Sequence, residues 1–394
     1  MFENIKTIED FELASKRVLI RVDFNTPLKN GQVSDDTRIR ASLPTIRYAK
    51  EHGGRVILMS HLGRPDGERM PEYSLEPVAA RLAEILGEDV TLTDSAIGDG
   101  ARKVVRDLRD GQVALLENLR FHPGETKNDE TFARKLAEHG EIYINDAFGT
   151  AHRAHASTYG VARFIEQKGA GFLMIAEVRA LAKLLSSPER PFVTILGGAK
   201  VSDKIAVIEN LLNLVDVLII GGAMANTFLS AQGAKLGKSL VETDREPLAR
   251  DLLRRADEKR VQILLPEDLV AADSPDAESG KVVGLRDFPQ NQMAVDIGPK
   301  TVAKFREALK RAATAFWNGP MGIFEKTPFA AGTFEVARAM VDSPAFTVVG
   351  GGDSAAAVRK AGLTQRFGHV STGGGATLEL LEGKDLPGIS ILAK

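Results

Sequence analysis

A chain of 394 residues, 43% of them hydrophobic, is long enough for roughly two to three ordinary domains and apolar enough to fill their cores, which excludes a disordered polypeptide. Its 51 Lys and Arg against 53 Asp and Glu leave a formal charge of −2, and neither half carries the basic excess of a nucleic-acid binder. The absence of cysteine excludes disulfides, thiolate nucleophiles and Cys-ligated metal sites. The opening MFENIKTIED is acidic where a secretory signal is basic and then apolar, and no apolar run reaches even about a dozen residues. A soluble cytoplasmic protein that meets no membrane is expected.

Short apolar, β-branched runs alternate with amphipathic stretches of helical period along the chain. In the first half the runs predict strands at Arg17–Phe24, Arg55–His61, Asp89–Thr93, Gln112–Asn118 and Ile142–Phe148. The residues are apolar on both faces, as in a parallel sheet covered by helices on either side. Ala170–Leu185 (AGFLMIAEVRALAKLL) is built of good helix formers and stops at Ser186-Ser187-Pro188, which predicts a helical connector. Beyond it, strands are predicted at Pro191–Gly198, Val217–Gly222, Gln262–Pro266, Ala315–Gly319, Phe346–Gly351 and His369–Thr372. Right-handed crossovers then give two doubly wound α/β lobes with ligands at the carboxyl ends of the strands; a single continuous sheet of eleven strands lies at the limit for an open twisted sheet.

The two sets of strand ends differ in chemistry. In the first half they carry Asp23-Phe24-Asn25, Arg38, Ser60-His61-Leu62-Gly63-Arg64-Pro65, Arg120-Phe121-His122-Pro123 and His152-Arg153-Ala154-His155, and six of the seven histidines lie in this half. One loop arginine means little. Four strand–helix junctions that each offer one, brought to the same sheet edge, predict a pocket for a small polyanion, since guanidinium forks match carboxylate and phosphate oxygens. A metal site built on His61, His152 and His155 is disfavoured, because these segments lack the carboxylate or cysteine cluster that normally completes one.

The second half offers glycine at Gly197-Gly198, Gly221-Gly222, Asn318-Gly319-Pro320, Gly350-Gly351-Gly352-Asp353-Ser354 and Gly373-Gly374-Gly375. Glycine after a strand lets backbone N–H groups approach a ligand, and a helix that starts there turns its positive end toward phosphate. Helices are predicted to open at Ser354 and Ala376, the second ending at Gly383. Lys200 and Lys204 are expected on one face of the first turn of a helix whose core stripe is Val201, Ile205, Ile208 and Leu212, where they oppose the helix dipole unless an anion lies between them. Asp353 reads as an N-cap or as a Mg²⁺ ligand beside a phosphate cradle. Two decoys fail on spacing: Gly237-Lys238-Ser239 has Gln232 where a P-loop needs glycine, and no GxGxxG follows a strand. His152-Arg153-Ala154 is not the HRD of protein kinases, and DFG is absent.

Val22-Asp23-Phe24-Asn25 with Asp36-Thr37-Arg38-Ile39-Arg40, SHLGRP at 60–65, LLENLRF at 115–121, NDAFGTAHRAHAS at 145–157, LGGAKVSDKI at 196–205, WNGPMGIFE at 317–325, GGGDSAA at 350–356 and STGGGATLELLEG at 371–383 run in order through nearly the whole chain. Together they closely resemble the phosphoglycerate kinase family. The resemblance implies reversible phosphoryl transfer between 1,3-bisphosphoglycerate and ADP, giving 3-phosphoglycerate and Mg-ATP, by a cytoplasmic monomer that uses Mg²⁺ with ATP or ADP and binds no nucleic acid. The rival readings are another small-molecule carboxylate kinase, or a two-lobed ligand-binding protein without turnover.

It implies a phosphoglycerate-binding domain at 1–170, a connector helix at 171–185, a nucleotide-binding domain at 186–375 and a C-terminal segment at 376–394 that returns to the first domain. Carried over by position, the substrate contacts fall on Asp23, Phe24, Asn25, Arg38, His61, Leu62, Gly63, Arg64, Arg120 and Arg153. The nucleotide contacts fall on Lys200, Lys204, Asn318, Glu325, Gly350, Gly351, Gly352, Asp353 and Ser354, with Asp353 meeting the metal. Arg38, Lys204, Gly374 and Gly375 would surround the phosphoryl group in transfer. Ala223 stands where the family more often has a third glycine, on the adenine side.

Overall fold

The structure, a computed structural model, describes residues 4–393. Its contacts divide the chain into two units, Met1–Arg179 with Asp385–Lys394, and Ala180–Lys384.

Among the described residues of the first unit, six parallel strands lie in the order Val90–Leu92, Val113–Leu115, Arg55–Met59, Arg17–Arg21, Ile142–Asn145 and Gln167–Ala170. Val18, Leu19, Ile20, Val56, Ile57 and Leu58 are all fully buried, because helices cover both faces of the sheet. The helix Thr37–Glu51 lays Ile39, Leu43 and Ile46 against Val18, Ile20, Val56 and Leu58. Each such side chain contributes about 1.5–3 kcal/mol when fully removed from water. Arg21 pairs with Met59 on one side and Asn145 on the other, so the three central strands finish level. Their following loops therefore emerge at one edge.

The second unit repeats the plan in the order Gln262–Leu264, Val217–Ile220, Phe192–Leu196, Thr314–Asn318, Phe346–Gly350 and His369–Val370, again all parallel. Sequence order reverses between Phe192–Leu196 and Thr314–Asn318, which pair residue for residue to Leu196 and Asn318. The crevice past such a reversal is where doubly wound sheets bind ligands.

Several elements depart from the sequence expectations. Gln167–Ala170 is a sixth strand of the first sheet; its sequence QKGA carries no apolar run, and it is held by the neighbouring strand and by the Ala170 N–H donating to the Lys6 carbonyl at 2.8 Å. Ala170 is therefore strand, and the connector helix spans Phe172–Ser186. It starts where the Leu173 and Met174 amides donate to the buried Asp146 carboxylate, which burial holds up at about 7. A three-stranded antiparallel sheet of Lys281–Gly284, Asp268–Ala272 and Met293–Ile297 was not anticipated. The second unit continues through the helix Gly374–Leu381 to Lys384 rather than ending at 375, since Leu380 and Leu381 are buried and the Leu381 carbonyl accepts from Asn210 Nδ2 at 2.7 Å.

Candidate functional site

In the first unit, the loop after Arg21 places Asp23 so that both carboxylate oxygens accept from Arg38 Nη1 at 3.1 Å, and the same nitrogen donates to the Asn25 carbonyl at 3.1 Å. Asn25 Oδ1 accepts from the Gly63 amide at 2.9 Å, tying this loop to the one after Met59. Phe24 and Leu62 are buried, and their backbone amides donate to Ser60 Oγ and Asn118 Oδ1. These two anchor the loops through the core, and any part they take in the site belongs to their backbone.

Arg120 is buried, donates from Nη1 to the Gly63 carbonyl at 2.7 Å and leaves its buried Nε without a partner. Burial, with Arg153 and Arg21 nearby, lowers it to about 10. An orphaned guanidinium donor among like charges is stabilised by an anion. A cavity of about 480 Å³ adjoins it, lined by Arg64, Arg120, Arg153, His122, His155 and Lys127 among others. Arg38, Asp23, Asn25 and His61 do not line that cavity. The charges of Arg21, Arg120, Arg38 and Arg153 nonetheless all reach His61, which burial and these cations hold well below the usual imidazole range. The sequence reasoning missed Asn118, a fully buried amide that donates to the Leu62 and Tyr73 carbonyls and so holds the loop bearing His61 and Arg64. A polar residue at the end of the predicted strand Gln112–Asn118 was the available signal; the strand itself stops at Leu115 and Asn118 caps the short helix Leu119–Phe121. Arg21 and Glu125, both buried, were missed as well.

In the second unit, the turns past the strands pack backbone to backbone. Gly319 has φ +98°, and a Cβ there would lie 2.3 Å from the Gly197 carbonyl oxygen. The helix expected to carry Lys200 and Lys204 on one face begins only at Ile205, with Lys204 as its N-cap. Residues 201–204 form a turn instead, the Lys204 amide donating to the Val201 carbonyl at 2.9 Å, because Glu242 accepts from the Val201 and Ser202 amides at 2.6 and 3.2 Å and from Ser202 Oγ at 2.5 Å. Lys200 is exposed just before that turn, whereas Lys204 runs inward from its end and its Nζ donates to Asn318 Oδ1. Burial lowers Lys204 to about 8. Asn318 is buried and donates from Nδ2 to the Gly350 carbonyl at 2.9 Å, so one amide joins the lysine to the next strand-end turn.

That turn leads into the helix Gly352–Lys360, whose N-cap is Gly351 at φ +93°; Asp353 is exposed at its second position and does not cap it. Ser354 is buried and accepts from the Gly319 amide at 2.6 Å. The helix Gly374–Leu381 opens beside it, since a Cβ on Gly374 would meet Gly351 Cα at 3.3 Å and the Gly352 nitrogen at 3.4 Å. Both helices begin two residues before the predicted starts. A cleft of about 330 Å³ with a largely apolar wall of Ala223, Leu240, Met293 and Ile323 also reaches Glu325 and Asp353.

Two doubly wound units, one with a cationic edge and one with a glycine-rich edge around a half-buried lysine, fit a two-domain α/β phosphotransferase. The sequence profile described as "Phosphoglycerate kinase" matches residues 8–384. Phosphoglycerate kinase of Anaeromyxobacter dehalogenans (strain 2CP-1) is 58% identical over 389 residues, covering 98% of each chain, and that of Roseiflexus sp. (strain RS-1) is 56% identical over 390. The solved structure of phosphoglycerate kinase from Coxiella burnetii is similar with a TM-score of 0.90 at 44% identity, covering 98% of each chain. The chain belongs to the phosphoglycerate kinase family.

Proposed function

We infer that the family's reaction, reversible phosphoryl transfer between 1,3-bisphosphoglycerate and ADP to give 3-phosphoglycerate and ATP, is divided here between the two units. The enzyme is a glycolytic kinase with a carboxyl group as acceptor. The first unit takes the phosphoglycerate on Arg38, His61, Arg64, Arg120 and Arg153, with Asp23, Asn25 and the backbone of Phe24, Leu62 and Gly63 framing it. The second takes the nucleotide on Asn318, Glu325, Lys204 and the Gly350–Ser354 turn, with the exposed Lys200 nearby in sequence and Gly374 and Gly375 at the adjoining helix start.

The acceptor carboxylate is already ionised near neutral pH, so no general base is required. What remains is positioning and neutralisation of charge on the phosphoryl oxygens, which Arg38 and Lys204 supply as cations and the Gly374 and Gly375 amides as donors. Among the described residues no three carboxylate or imidazole side chains gather to hold a metal by themselves. The exposed Asp353 beside the glycine turn fits Mg²⁺ held by one carboxylate and the nucleotide phosphates, which when bound neutralises phosphate charge. The reading includes a cytoplasmic monomer that engages neither nucleic acid nor membrane; among the described residues no helix is long and apolar enough to cross a membrane.

The observation that carries this reading is the Lys204–Asn318–Gly350 connection at the strand-order reversal, in a chain matched to the family over residues 8–384. A coupled assay of ATP formation from ADP and 1,3-bisphosphoglycerate tests it. Turnover dependent on both substrates and Mg²⁺ is expected, and its absence in folded protein would refute the reading.

A further inference from the structure

Arg21 ends the strand Arg17–Arg21 and is only 1% exposed, yet the division of roles above gives it nothing to do. All three of its nitrogens are engaged. Nε donates to Ser157 Oγ at 2.8 Å, Nη1 donates to the Val22 carbonyl, and Nη2 lies 3.1 Å from His61 Nδ1. Ser157 Oγ in turn donates to Glu125 Oε1 at 2.6 Å, and the Ser157 amide donates to Glu125 Oε2 at 2.9 Å. Burial raises the Glu125 carboxyl, while Arg21, the Ser157 bonds and Arg120 oppose that shift.

A guanidinium has donors and no acceptor, and it keeps its proton in proteins. His61 Nδ1, facing Nη2, must therefore be the acceptor, which leaves the ring proton on Nε2. An imidazolium would set one N–H against another. The leading charges acting on His61 are those of Arg21, Arg120, Arg38 and Arg153, all cations, and the Glu125 carboxylate is hydrogen-bonded into this line through Ser157. Among the described residues, Nε2 has no hydrogen-bond partner.

We propose that Arg21 is a positioning residue which fixes His61 as the uncharged Nε2–H tautomer, so that the ring presents a single N–H donor to the substrate anion. The line Glu125–Ser157–Arg21–His61 then has every hydrogen assigned a direction, and the guanidinium serves as a rigid prop rather than a ligand. The assignment of Nε2 to the substrate rests on the reading of this edge as the phosphoglycerate site; the tautomer does not.

The test uses the full chain labelled with ¹⁵N-histidine and free of ligand, with His61 assigned by its loss in His61→Gln. Long-range proton–nitrogen spectra should show a pyrrole-type Nε2 and a pyridine-type Nδ1, unchanged between about pH 6 and pH 8, the range in which an ordinary histidine titrates. A proton on Nδ1, or an imidazolium titrating near neutrality, would overturn the proposal. Arg21→Met should release both the tautomer and the titration; a folded Arg21→Met protein with an unaltered His61 spectrum would also overturn it, and the wild-type spectrum decides if that variant misfolds.

Kinetics give a separate readout. Glutamine can place an amide N–H where Nε2–H stood and asparagine cannot, so His61→Asn should raise KM for 3-phosphoglycerate about tenfold or more above that of His61→Gln. Equal losses would remove the Nε2 donor role. If 3-phosphoglycerate binds to the wild type without perturbing the His61 resonances, the substrate-site reading fails while the tautomer stands.

Discussion

On the proposed reading, the two strand-end edges answer one problem, how to hold phosphate, by opposite means. The first unit offers side-chain cations on a buried frame: Asp23 accepts from Arg38, and Arg21, itself backed by Ser157 and Glu125, props His61. The second offers backbone amides and small residues, with one half-buried lysine held by Asn318. A cationic edge should therefore fail when a charge is deleted and tolerate small changes of shape. A glycine edge should fail on the addition of one methyl group.

The largest effect expected is on the cationic side. If Arg38 stabilises charge that develops only in transfer, Arg38→Ala should lower kcat by on the order of 10³, as other phosphoryl-transfer arginines do, with Mg-ADP affinity nearly unchanged. A coupled assay beside calorimetry checks this, and a variant that keeps more than roughly a tenth of the rate removes Arg38 from the catalytic group.

Two glycine substitutions sharpen the other side. Gly319→Ala puts a methyl group 2.3 Å from the Gly197 carbonyl oxygen at φ +98° and should cost about 1–3 kcal/mol or more in urea unfolding. Gly352 has open space where its Cβ would go and no left-handed φ, so Gly352→Ala should leave stability within about 0.5 kcal/mol while weakening Mg-ADP about tenfold. Equal Mg-ADP affinity in Gly352→Ala and wild type would mean that phosphate does not approach this turn.

The pH dependence separates the two edges further. With Lys204 at about 8 in the free protein and raised by a bound phosphate, binding must take up a proton at higher pH. Mg-ADP affinity should be flat below about pH 8 and fall above it by up to about tenfold per unit; Lys204→Met should abolish the slope. A slope that survives in Lys204→Met assigns the titration to another group.

The smallest effect concerns Trp317, fully buried with its indole N–H donating to the Gly319 carbonyl at 2.7 Å. Its emission should shift modestly with Mg-ADP. A response to 3-phosphoglycerate alone would reverse the assignment of units.

The parallel strands were legible because runs such as Val18–Ile20 and Phe192–Leu196 are apolar on both faces, a pattern set by two helical layers. Arg38, Arg120 and Asn318 could be found because each follows or ends such a run. Lys200 and Lys204 were paired wrongly because what delays the helix is Glu242, some forty residues away in sequence, which draws the Val201 and Ser202 amides into a turn. The antiparallel sheet escaped because Lys281–Gly284 is largely exposed and the Asp268–Ala272 pairing shifts register between Val270 and Ala271. Nothing in the sequence singles out Arg21 or Glu125, since only tertiary packing buries them.

The central claim, that each unit holds its own ligand, is tested most directly by calorimetry on the full chain with two exposed residues changed separately, Arg64→Ala and Asp353→Ala. Arg64→Ala should weaken 3-phosphoglycerate by about tenfold or more and leave Mg-ADP unchanged, and Asp353→Ala should do the reverse. Loss of the same ligand in both variants, or each variant losing the other's ligand, would contradict the account.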